Sequence, residues 1–345
     1  MLGVKVELKD AEKVKEFLME KEAIDTDFRY DKTDTHMYFP VSCSKEFLKA
    51  LKNVEFVEMD FELKEFVSGK DIKSMLSEKL SDEELSNLKS AHDIIGTIAI
   101  LEIDEELRDK ENIIADAVLM TNKNIQTVLR KDGGHEGNFR VQKMKWLAGV
   151  KTKETIHIEN GTRLKLNVET VYFSPRLSTE RKRITELVKP NEKILVMFSG
   201  CAPYPCVISK NTEAQNIIGI EINPEGHKYG LENIELNKLK NVELINADVK
   251  IAVPKLAEKN LVFDRIVMPA PHNADSFIKE AILVSKKGTI IHFYDFLHED
   301  KFLEAEKKVD EACKSLKKKW KKISLNKCGQ HAPHIFRICL DFEIL

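Results

Sequence analysis

The spacing of apolar and polar residues changes along the chain, and its first half is irregular. Residues 1–66 contain short alternating segments that predict strands, with one helix opened by Asp10. The segment VEMDFEL (57–63) alternates most strictly and predicts a strand with one wet, acidic face. Residues 67–173 then predict a polar helix, an apolar strand IIGTIAILEI (94–103), a second helix and a hairpin.

The hairpin has a specific turn signal. Asn160-Gly161 separates TIHIE from TRLKLNV, and this dipeptide tolerates the two positive φ values of a type I′ turn. Between the predicted strand and this hairpin lies DGGHEGNFR (132–140), a glycine-rich loop ending in an arginine. Such a loop can become ordered on a substrate.

From residue 174 onward, strands and helices alternate in the manner of a parallel sheet covered on both faces. The predicted parallel strands are ILVMF (194–198), NIIGIE (216–221), NVELIN (241–246), DRIVM (264–268) and TIIHFY (289–294). Two closing strands, KKISLNK (321–327) and HIFRICLDFEI (334–344), follow a Lys-rich helix that includes KSLKKKWKK (314–322). The pattern predicts an α/β fold with a seven-stranded, Rossmann-like domain at 174–345, preceded by small α+β domains at 1–66 and 67–173.

Composition limits the class of protein. The 345 residues are 42% hydrophobic, which predicts an ordered chain of two or three domains. Lys plus Arg (55) nearly equals Asp plus Glu (57), so affinity for nucleic acid has to come from local basic patches. The six cysteines form no CxxC pair, and no apolar run is long enough for a bilayer. We expect no metal, no membrane contact, and a soluble, cytoplasmic monomer.

Candidate chemistry follows the ends of the predicted parallel strands, where ligands of open α/β sheets bind. FSGCAPYP (198–205) follows the first strand, and its small residues let the backbone approach a ligand closely. Glu221 ends the second strand and can accept both hydroxyls of a ribose, whereas Asp248, after the third, can accept from an adenine amine. MPAP (268–271) forms a stiff turn after the fourth. No GxGxxG motif is present, which favours an adenosyl ligand without phosphates.

Four longer segments carry the most specific signal: GNFRVQKMKWLAG, ENGTRLKLNVETVYFSPRLSTERKRI, GIEINP and APHIFRICLDFEI. They resemble the archaeal and eukaryotic tRNA guanine-37 N1-methyltransferase family and its wybutosine-pathway paralogues. The resemblance runs nearly end to end, and YFSPRLSTER (172–181) is its most specific motif. It implies a class I methyltransferase domain that binds S-adenosyl-L-methionine, a tRNA substrate, and an amino-terminal domain that reaches the tRNA elbow.

The resemblance also implies roles for individual residues. Arg140 would donate to guanine O6, and Glu180 would be the general base that takes the N1 proton. Pro271 would form a rigid wall beside the everted purine. Together with the strand ends, the predicted cofactor-binding residues are Tyr172, Phe198, Ser199, Gly200, Ala202, Tyr204, Glu221, Asn223, Asp248 and Pro269. The basic residues crowded beside this site, predicted to contact tRNA phosphates, are Arg176, Arg181 and Arg183.

The residue types suit this chemistry independently of the resemblance. Guanine N1 is a weak acid, so its methylation is eased by a carboxylate that removes the proton and a cation that stabilises the charge left on O6. Each candidate also has a simpler interpretation. Arg140 could pair with Glu136 or Asp132, and Glu180 could stabilise the first turn of its helix.

Two departures from the family pattern keep other functions open. Val196 stands where the family carries an acid, and Pro269 stands where it carries an asparagine. One alternative is an aminocarboxypropyl transferase of the wybutosine pathway that uses the same cofactor. The other is a tRNA-binding paralogue without catalysis.

Overall fold

The computed structural model describes the chain except residues 22, 26–27, 45–50, 63–71, 90, 135–136, 138 and 270–273. The described residues form two compact units. One unit comprises Met1–Ser86 with Asp116–Asn124, and the other comprises Asn87–Ala115 with Ile125–Leu345. None of the described helices combines the length and apolar character of a bilayer span.

The first unit is built on an antiparallel four-stranded sheet in the order β2-β3-β1-β4. The elements of this part of the chain are β1 (Leu2–Glu7), α1 (Ala11–Glu20), β2 (Asp31–Lys32), β3 (His36–Pro40), β4 (Val54–Glu58), α2 (Ile72–Leu76) and α3 (Asp82–Asn87). Val14 and Leu18, one turn apart on α1, pack with Val4 and Phe39 of the sheet. The helix predicted after Asp10 is therefore confirmed.

The bounds predicted for the last strand of this unit are wrong. Residues 57–63 alternate strictly, yet β4 ends at Glu58. Glu58 pairs with Leu2, the first residue of β1, and Met59 exchanges two further backbone bonds with Met1 outside the strand. Alternation alone does not fix where a strand loses its partner.

The second unit begins with a four-stranded sheet in the order β5-β6-β7-β8, in which only β6 and β7 are parallel. The strands are β5 (Asp93–Ile95), β6 (Ile98–Leu101), β7 (Thr127–Lys131) and β8 (Met144–Gly149), and helix α4 (Glu111–Thr121) belongs to the second unit up to Ala115 and to the first unit from Asp116. The single strand predicted at 94–103 is wrong, because Gly96 adopts a φ of 56° and reverses the chain into a hairpin.

The predicted type I′ hairpin is confirmed. Strands β9 (Glu154–Glu159) and β10 (Thr162–Asn167) pair in antiparallel register across Asn160 and Gly161. Both turn residues have positive φ, 46° and 71° respectively.

The rest of the second unit is a seven-stranded sheet in the order β13-β12-β11-β14-β15-β17-β16. The first five strands in this order are parallel, and β17 and β16 close the sheet in antiparallel register. Its elements are α5 (Ser178–Glu186), β11 (Lys193–Met197), α6 (Pro203–Asn211), β12 (Asn216–Glu221), α7 (Pro224–Leu236), β13 (Val242–Asn246), α8 (Val249–Glu258), β14 (Phe263–Met268), α9 (Ile278–Leu283), β15 (Ser285–His298), α10 (Leu303–Ser315), β16 (Trp320–Ala332) and β17 (Ile335–Ile344). The predicted seven-stranded, Rossmann-like sheet is confirmed, with its five parallel strands and its two closing strands.

The Lys-rich segment 314–322 is not the helix that was predicted. Helix α10 ends at Ser315, and Trp320 already begins β16. The Trp320 ring packs edge-on against Phe342, with centroids 5.7 Å apart, and this contact fixes the residue in the sheet. An aromatic residue with a buried partner therefore outweighs the helical propensity of the lysines around it.

Helix α7 lies unusually close to the sheet because two glycines make room for one leucine. A Cβ atom at Gly219 would lie 2.5 Å from Leu244 Cδ2, and one at Gly230 would lie 2.6 Å from Leu244 Cδ1. The two methyl groups of Leu244 thus occupy the space that side chains on β12 and α7 would need.

Two asparagines of α7 and its C-cap bind the free edge of β10. The Asn233 side chain accepts from Lys165 N at 2.6 Å and donates to Lys165 O at 3.0 Å. Asn237, one turn later, makes the same pair of bonds to Arg163, at 2.9 and 2.6 Å. These amides satisfy backbone groups that an edge strand would otherwise leave unpaired.

Candidate active site

The register of the parallel strands brings the predicted ligand-binding carboxylates to one edge of the sheet. Glu221 pairs with Asn246, so Asp248 follows only two residues beyond the neighbour of Glu221. The Asn246 side chain donates to Glu221 O at 2.8 Å, and Ala247 N donates to the same oxygen at 3.0 Å. Asp248 is partly exposed and caps α8 by accepting from Lys250 N at 2.8 Å.

The turn after β11 adopts a strained backbone beside these carboxylates. Phe198, Gly200 and Ala202 all have left-handed φ values, of 60°, 56° and 63°. Gly200 N donates to Glu221 Oε2 at 2.6 Å, and the Asn233 side chain donates to the carbonyl of Cys201 at 2.9 Å. The neighbouring elements therefore hold the turn in place.

Around Gly200, the surface of this turn is formed by backbone atoms and not by side chains. Among the residues that the structure describes, a Cβ atom at Gly200 would meet only the Tyr172 carbonyl, at 3.5 Å. Ser199 is buried, and its side chain points toward Gly219 on the sheet. Phe198 packs edge-on against Phe277, with centroids 4.9 Å apart. The segment thus presents backbone around Gly200, and its contact with a ligand stays a prediction.

Glu221 has the chemistry required by an adenosyl ribose. Its carboxylate is 9% exposed, and burial raises its pKa against the opposing effect of backbone donors. Oε1 accepts from Asn223 N at 2.8 Å, Oε2 accepts from Gly200 N, and the Ile222 backbone adds a third donor, so the carboxylate retains acceptor capacity for a ribose hydroxyl. The residues present therefore fit the adenosyl group.

Asn223, which is predicted to bind the cofactor, makes two side-chain hydrogen bonds within the protein. Its Oδ1 accepts from Glu225 N at 3.0 Å as the N-cap of α7, and its Nδ2 donates to Thr170 O at 2.8 Å. Both ends of the amide are thus engaged inside the protein. The side chain fixes the start of α7 and the segment before α5.

The two predicted tyrosines occupy different environments. Tyr172 is partly buried, and its hydroxyl accepts from Arg337 Nη2 at 3.3 Å, while its carbonyl adjoins Gly200. Tyr204 is 3% exposed, and its hydroxyl donates to the Tyr294 hydroxyl at 3.2 Å. Tyr204 therefore lies in the interior beside α5, whereas Tyr172 borders the turn after β11.

Glu180 occupies a buried position on α5 and is 7% exposed. Arg183 donates to both of its oxygens at 2.7 Å, and the Tyr294 hydroxyl donates to Oε1. The Glu180 carboxylate therefore forms an ion pair with Arg183 and accepts a hydrogen bond from Tyr294. An acid that only stabilises the start of a helix needs neither contact.

The helix that carries Glu180 is anchored by a buried ion pair. Arg181 forms a bidentate bond to Glu159, and both side chains are 2% exposed. Arg181 also donates to Ser174 O at 3.0 Å. Two of the three arginines predicted to contact phosphates, Arg181 and Arg183, thus have their guanidinium groups engaged by carboxylates within the second unit.

The other predicted site residues lie nearer the surface. Arg176 pairs with Asp93 at 2.7 Å while 70% of its side chain stays exposed. Arg140 is partly buried, has a φ of 53°, and belongs to the loop between β7 and β8. Pro269 follows β14 and is partly buried, and Pro271 lies outside the described residues.

Sequence reasoning missed Tyr294 and the buried polar groups near it. Because Met268 pairs with Phe293 in the parallel sheet, Tyr294 directly follows at the same edge as the other strand ends. The position of the fifth strand was therefore a usable signal. No comparable signal exists for Asp341, which reaches the site from the antiparallel end of the sheet.

Three potential metal ligands, His292, Cys339 and Asp341, also converge in this part of the sheet, with ligand atoms within 4.8 Å of one another. The guanidinium of Arg265 lies 2.7 Å from the His292 ring, and that of Arg183 lies 2.7 Å from Asp341. Two fixed cations disfavour a metal ion here, and the groups satisfy one another by hydrogen bonds.

Comparison with known proteins gives a match over the whole chain. Residues 155–322 match the family model described as the TRM5/TYW2 methyltransferase domain. Residues 72–152 match the TYW2 N-terminal domain, and residues 3–46 the tRNA methyltransferase 5 N-terminal domain. The tRNA (guanine(37)-N(1))-methyltransferase Trm5b of Pyrococcus abyssi is 33% identical over 344 residues, which cover 99% of each chain. The chain belongs to the TRM5/TYW2 family.

Within the TRM5/TYW2 family the relatives differ in reaction. Trm5b of Methanocaldococcus jannaschii is 31% identical over 99% of this chain and 98% of its own. The tRNA(Phe) (4-demethylwyosine(37)-C(7)) aminocarboxypropyltransferase of Pyrococcus horikoshii is also 31% identical, but it matches only 79% of this chain.

Solved structures of TRM5/TYW2 proteins share the fold. The structure of Trm5b from Pyrococcus abyssi matches with a TM-score of 0.71, 33% identity and coverage of 100% of this chain and 99% of its own. A complex of aTrm5 with tRNALeu gives a TM-score of 0.71 at 28% identity, with full coverage of both chains. The predicted class I methyltransferase fold is thus confirmed.

Proposed function

We propose that this chain is an S-adenosylmethionine-dependent tRNA methyltransferase that modifies N1 of guanosine 37, beside the anticodon. The observation that carries the proposal is the end-to-end match to two enzymes of that name, which includes the amino-terminal domain at residues 3–46. The aminocarboxypropyl-transferring relative leaves about a fifth of this chain unmatched. Domain content therefore favours the methyltransferase.

The adenosyl part of the cofactor would bind at the carboxyl edge of the parallel sheet. Glu221 would accept the ribose hydroxyls, Asp248 would face the adenine, and the turn from Phe198 to Ala202 would present backbone groups. When bound, S-adenosylmethionine supplies a methyl group on a positively charged sulfur that leaves as a neutral thioether.

The protein would contribute acid-base chemistry at the target base. Glu180 would take the N1 proton of guanine. Its carboxylate is already held in one orientation by Arg183, so little conformational entropy would be lost when the base binds. Arg140 would donate to O6 and stabilise the negative charge that deprotonation leaves there. Pro271 would limit the space for the everted purine.

The remaining parts of the chain would hold the tRNA. We assign residues 1–66 to the tRNA elbow, and the loop of residues 132–140 within the domain 67–173 to the region of the target base. Arg176, whose side chain is mostly exposed, would contact the tRNA phosphates. Arg181 and Arg183 would instead support the site from inside.

The direct test is product analysis of a tRNA transcript incubated with the enzyme and S-adenosylmethionine. Mass spectrometry should find N1-methylguanosine at position 37, and a transcript with adenosine at that position should stay unmodified. Absence of N1-methylguanosine would refute the assigned reaction.

The general base has its own test. Glu180→Gln should leave binding of S-adenosylmethionine intact and reduce single-turnover methylation by roughly a hundredfold or more. Glu186→Gln is a matched control, because Glu186 lies on the same helix and is exposed in a pair with Lys182. Equal rates for the Glu180 and Glu186 variants would remove Glu180 from the mechanism.

Two other functions give different outcomes in these assays. Aminocarboxypropyl transfer, suggested by Pro269 in place of the family asparagine, would appear as a larger mass increment on a tricyclic guanosine derivative. A tRNA-binding paralogue without catalysis would bind tRNA and give no heat of binding with S-adenosylmethionine in calorimetric titration.

A further inference from the structure

Arg337 of β17 lies on the same face of the sheet as the proposed base, one step closer to the carboxyl edge. It pairs directly with Phe296 of β15. Tyr294, two residues earlier on β15, donates to Glu180. Side chains two residues apart on a strand point to the same face and start about 7 Å apart. Arg337 and Phe296 therefore border the space beside Glu180 at the edge of the sheet where the cofactor would bind.

Among the residues that the structure describes, no carboxylate pairs with the guanidinium of Arg337. Its Nη2 donates to the Tyr172 hydroxyl at 3.3 Å, and the group lies over the Phe296 ring, 5.1 Å from the centroid. Its Nε is buried and has no acceptor within the described part of the chain. An arginine side chain carries five N–H donors and a permanent positive charge. Most of the donors and the whole charge of Arg337 are thus uncompensated by described groups.

Other arginines of the second unit show what a guanidinium needs when it serves the fold alone. Arg130, Arg181 and Arg265 are buried, and each pairs with a glutamate. This pairing is expected, because a charge withdrawn from water is costly unless it has a partner of opposite sign. Arg337 is partly buried and departs from this pattern. The departure beside the proposed base points to an anion that arrives with a substrate.

The aromatic neighbours of Arg337 indicate which anion this is. The Phe296 ring stacks on the His331 ring, with centroids 4.2 Å apart and planes 28° apart, and His331 is exposed. Aromatic rings beside an arginine are typical of sites for single-stranded nucleic acid, where the rings stack on bases and the cation binds a phosphate. The carboxylate of S-adenosylmethionine would need the arginine but no aromatic surface that continues to solvent. The arrangement therefore favours RNA.

We propose that Arg337 and His331 form a subsite for the unpaired nucleotides next to the target guanosine, in which the guanidinium binds a phosphate and the imidazole ring stacks on a base. The proposal rests on the proposed function, in which the substrate is a tRNA modified beside its anticodon. Tyr172 and Phe296 are positioning residues, because one bonds Nη2 and the other lies under the guanidinium. The subsite holds the strand beside the base that leaves its stack.

The test is binding of a guanosine-37 tRNA transcript to the full-length chain, measured at several salt concentrations. Arg337→Gln should weaken binding about tenfold and reduce the slope of log affinity against log salt by about 0.7, because one phosphate contact on a single strand is lost. Arg337→Lys keeps the charge and should restore the slope. Calorimetric titration should give both variants the wild-type affinity for S-adenosylmethionine.

Lys327→Gln is the matched control for charge. Lys327 also lies over an aromatic ring, 4.3 Å from the centroid of Phe336, and it is exposed. It pairs with Ile338, the residue after Arg337, so its side chain lies on the opposite face of the sheet. Lys327→Gln removes the same charge from the chain and should change tRNA affinity less than about twofold.

His331 tests the stacking part of the subsite with no change in the interior, because the residue is exposed. His331→Ala should weaken tRNA binding about fivefold or more. His331→Phe keeps an aromatic ring and should bind the transcript as the wild type does. These two variants carry the test if Arg337→Gln does not fold.

Wild-type tRNA affinity in a folded Arg337→Gln or His331→Ala chain would overturn the proposal, and so would equal effects of Arg337→Gln and Lys327→Gln. An Arg337→Gln chain that loses affinity for S-adenosylmethionine and keeps its affinity for tRNA would also overturn it, because the guanidinium would then belong to the cofactor carboxylate. A wild-type chain that binds the transcript and makes no N1-methylguanosine would instead refute the proposed function.

Discussion

Asn233 is the side chain whose loss should most clearly show how the second unit is held together. Its amide is fully buried and makes three bonds to backbone groups, two to Lys165 and one to the carbonyl of Cys201. Asn233→Ala removes all three bonds, so that the N–H and carbonyl of Lys165, which are part-buried, and the buried carbonyl of Cys201 lose these partners. At about 1 kcal/mol for each lost bond, the free energy of unfolding should fall by about 3 kcal/mol.

The assay is urea denaturation followed by circular dichroism, with the slope of the transition compared between variants. A lower midpoint at an unchanged slope reports lost stability rather than a changed unfolded state. Asn211→Ala is the matched control, because its amide also donates to two carbonyls, those of Asn160 and Val207, but the residue is exposed. Water can replace those bonds, so the loss should stay below about 1 kcal/mol.

Equal losses for the two variants would refute this reasoning. The two bonds from the Asn233 amide to the edge of β10 would then not contribute to stability more than exposed bonds do. Asn233→Ala should also bind S-adenosylmethionine more weakly in calorimetry. The reason is that Asn233 holds the Cys201 carbonyl, which belongs to the turn after β11.

Other variants test packing and buried charge. Gly219→Ala should lower the free energy of unfolding by about 1 to 3 kcal/mol in the same denaturation assay, because its new methyl group would lie 2.5 Å from Leu244 Cδ2. Unchanged stability would mean that Leu244 and the helix α7 packed on it can shift to make room. Glu159→Gln should cost about 3 to 5 kcal/mol, because it leaves Arg181 buried without a counter-charge. The pKa of Glu159 is lowered, by hydrogen bonds from His157 and Arg181 that outweigh the raising effect of burial. The stabilisation from ionised Glu159 is therefore present above the unfolded pKa of about 4.3 and is lost as pH falls below it. The free energy of unfolding of Glu159→Gln should consequently fall less between neutral and acid pH than that of the wild type.

The parallel sheet could be predicted because each of its strands is a short apolar run bounded by helix-length segments. The hairpin at Asn160-Gly161 was equally readable, since few dipeptides tolerate two positive φ values. The hairpin at Gly96 was missed because the strands on both sides are apolar and the turn contains a single glycine. A continuous apolar run hides a reversal of the chain direction.

Residue roles were less predictable than strand positions. The sequence shows that Glu221 and Asp248 follow adjacent strands, and the register confirms that they share an edge. It does not show that Arg183 belongs to Glu180 and Asp341 rather than to solvent. That fact depends on a partner 158 residues away, which no local pattern encodes.

The left-handed turn after β11 has a consequence for ligand recognition. Phe198 and Ala202 each hold a backbone conformation that costs an ordinary residue about 1 kcal/mol or more, and two bonds maintain the turn, one from Gly200 N to Glu221 and one from the Asn233 side chain to the Cys201 carbonyl. The entropic penalty of ordering this segment is thus incurred during folding and not on association. An adenosyl compound would meet a preorganised surface, so that more of its contact energy would appear as affinity.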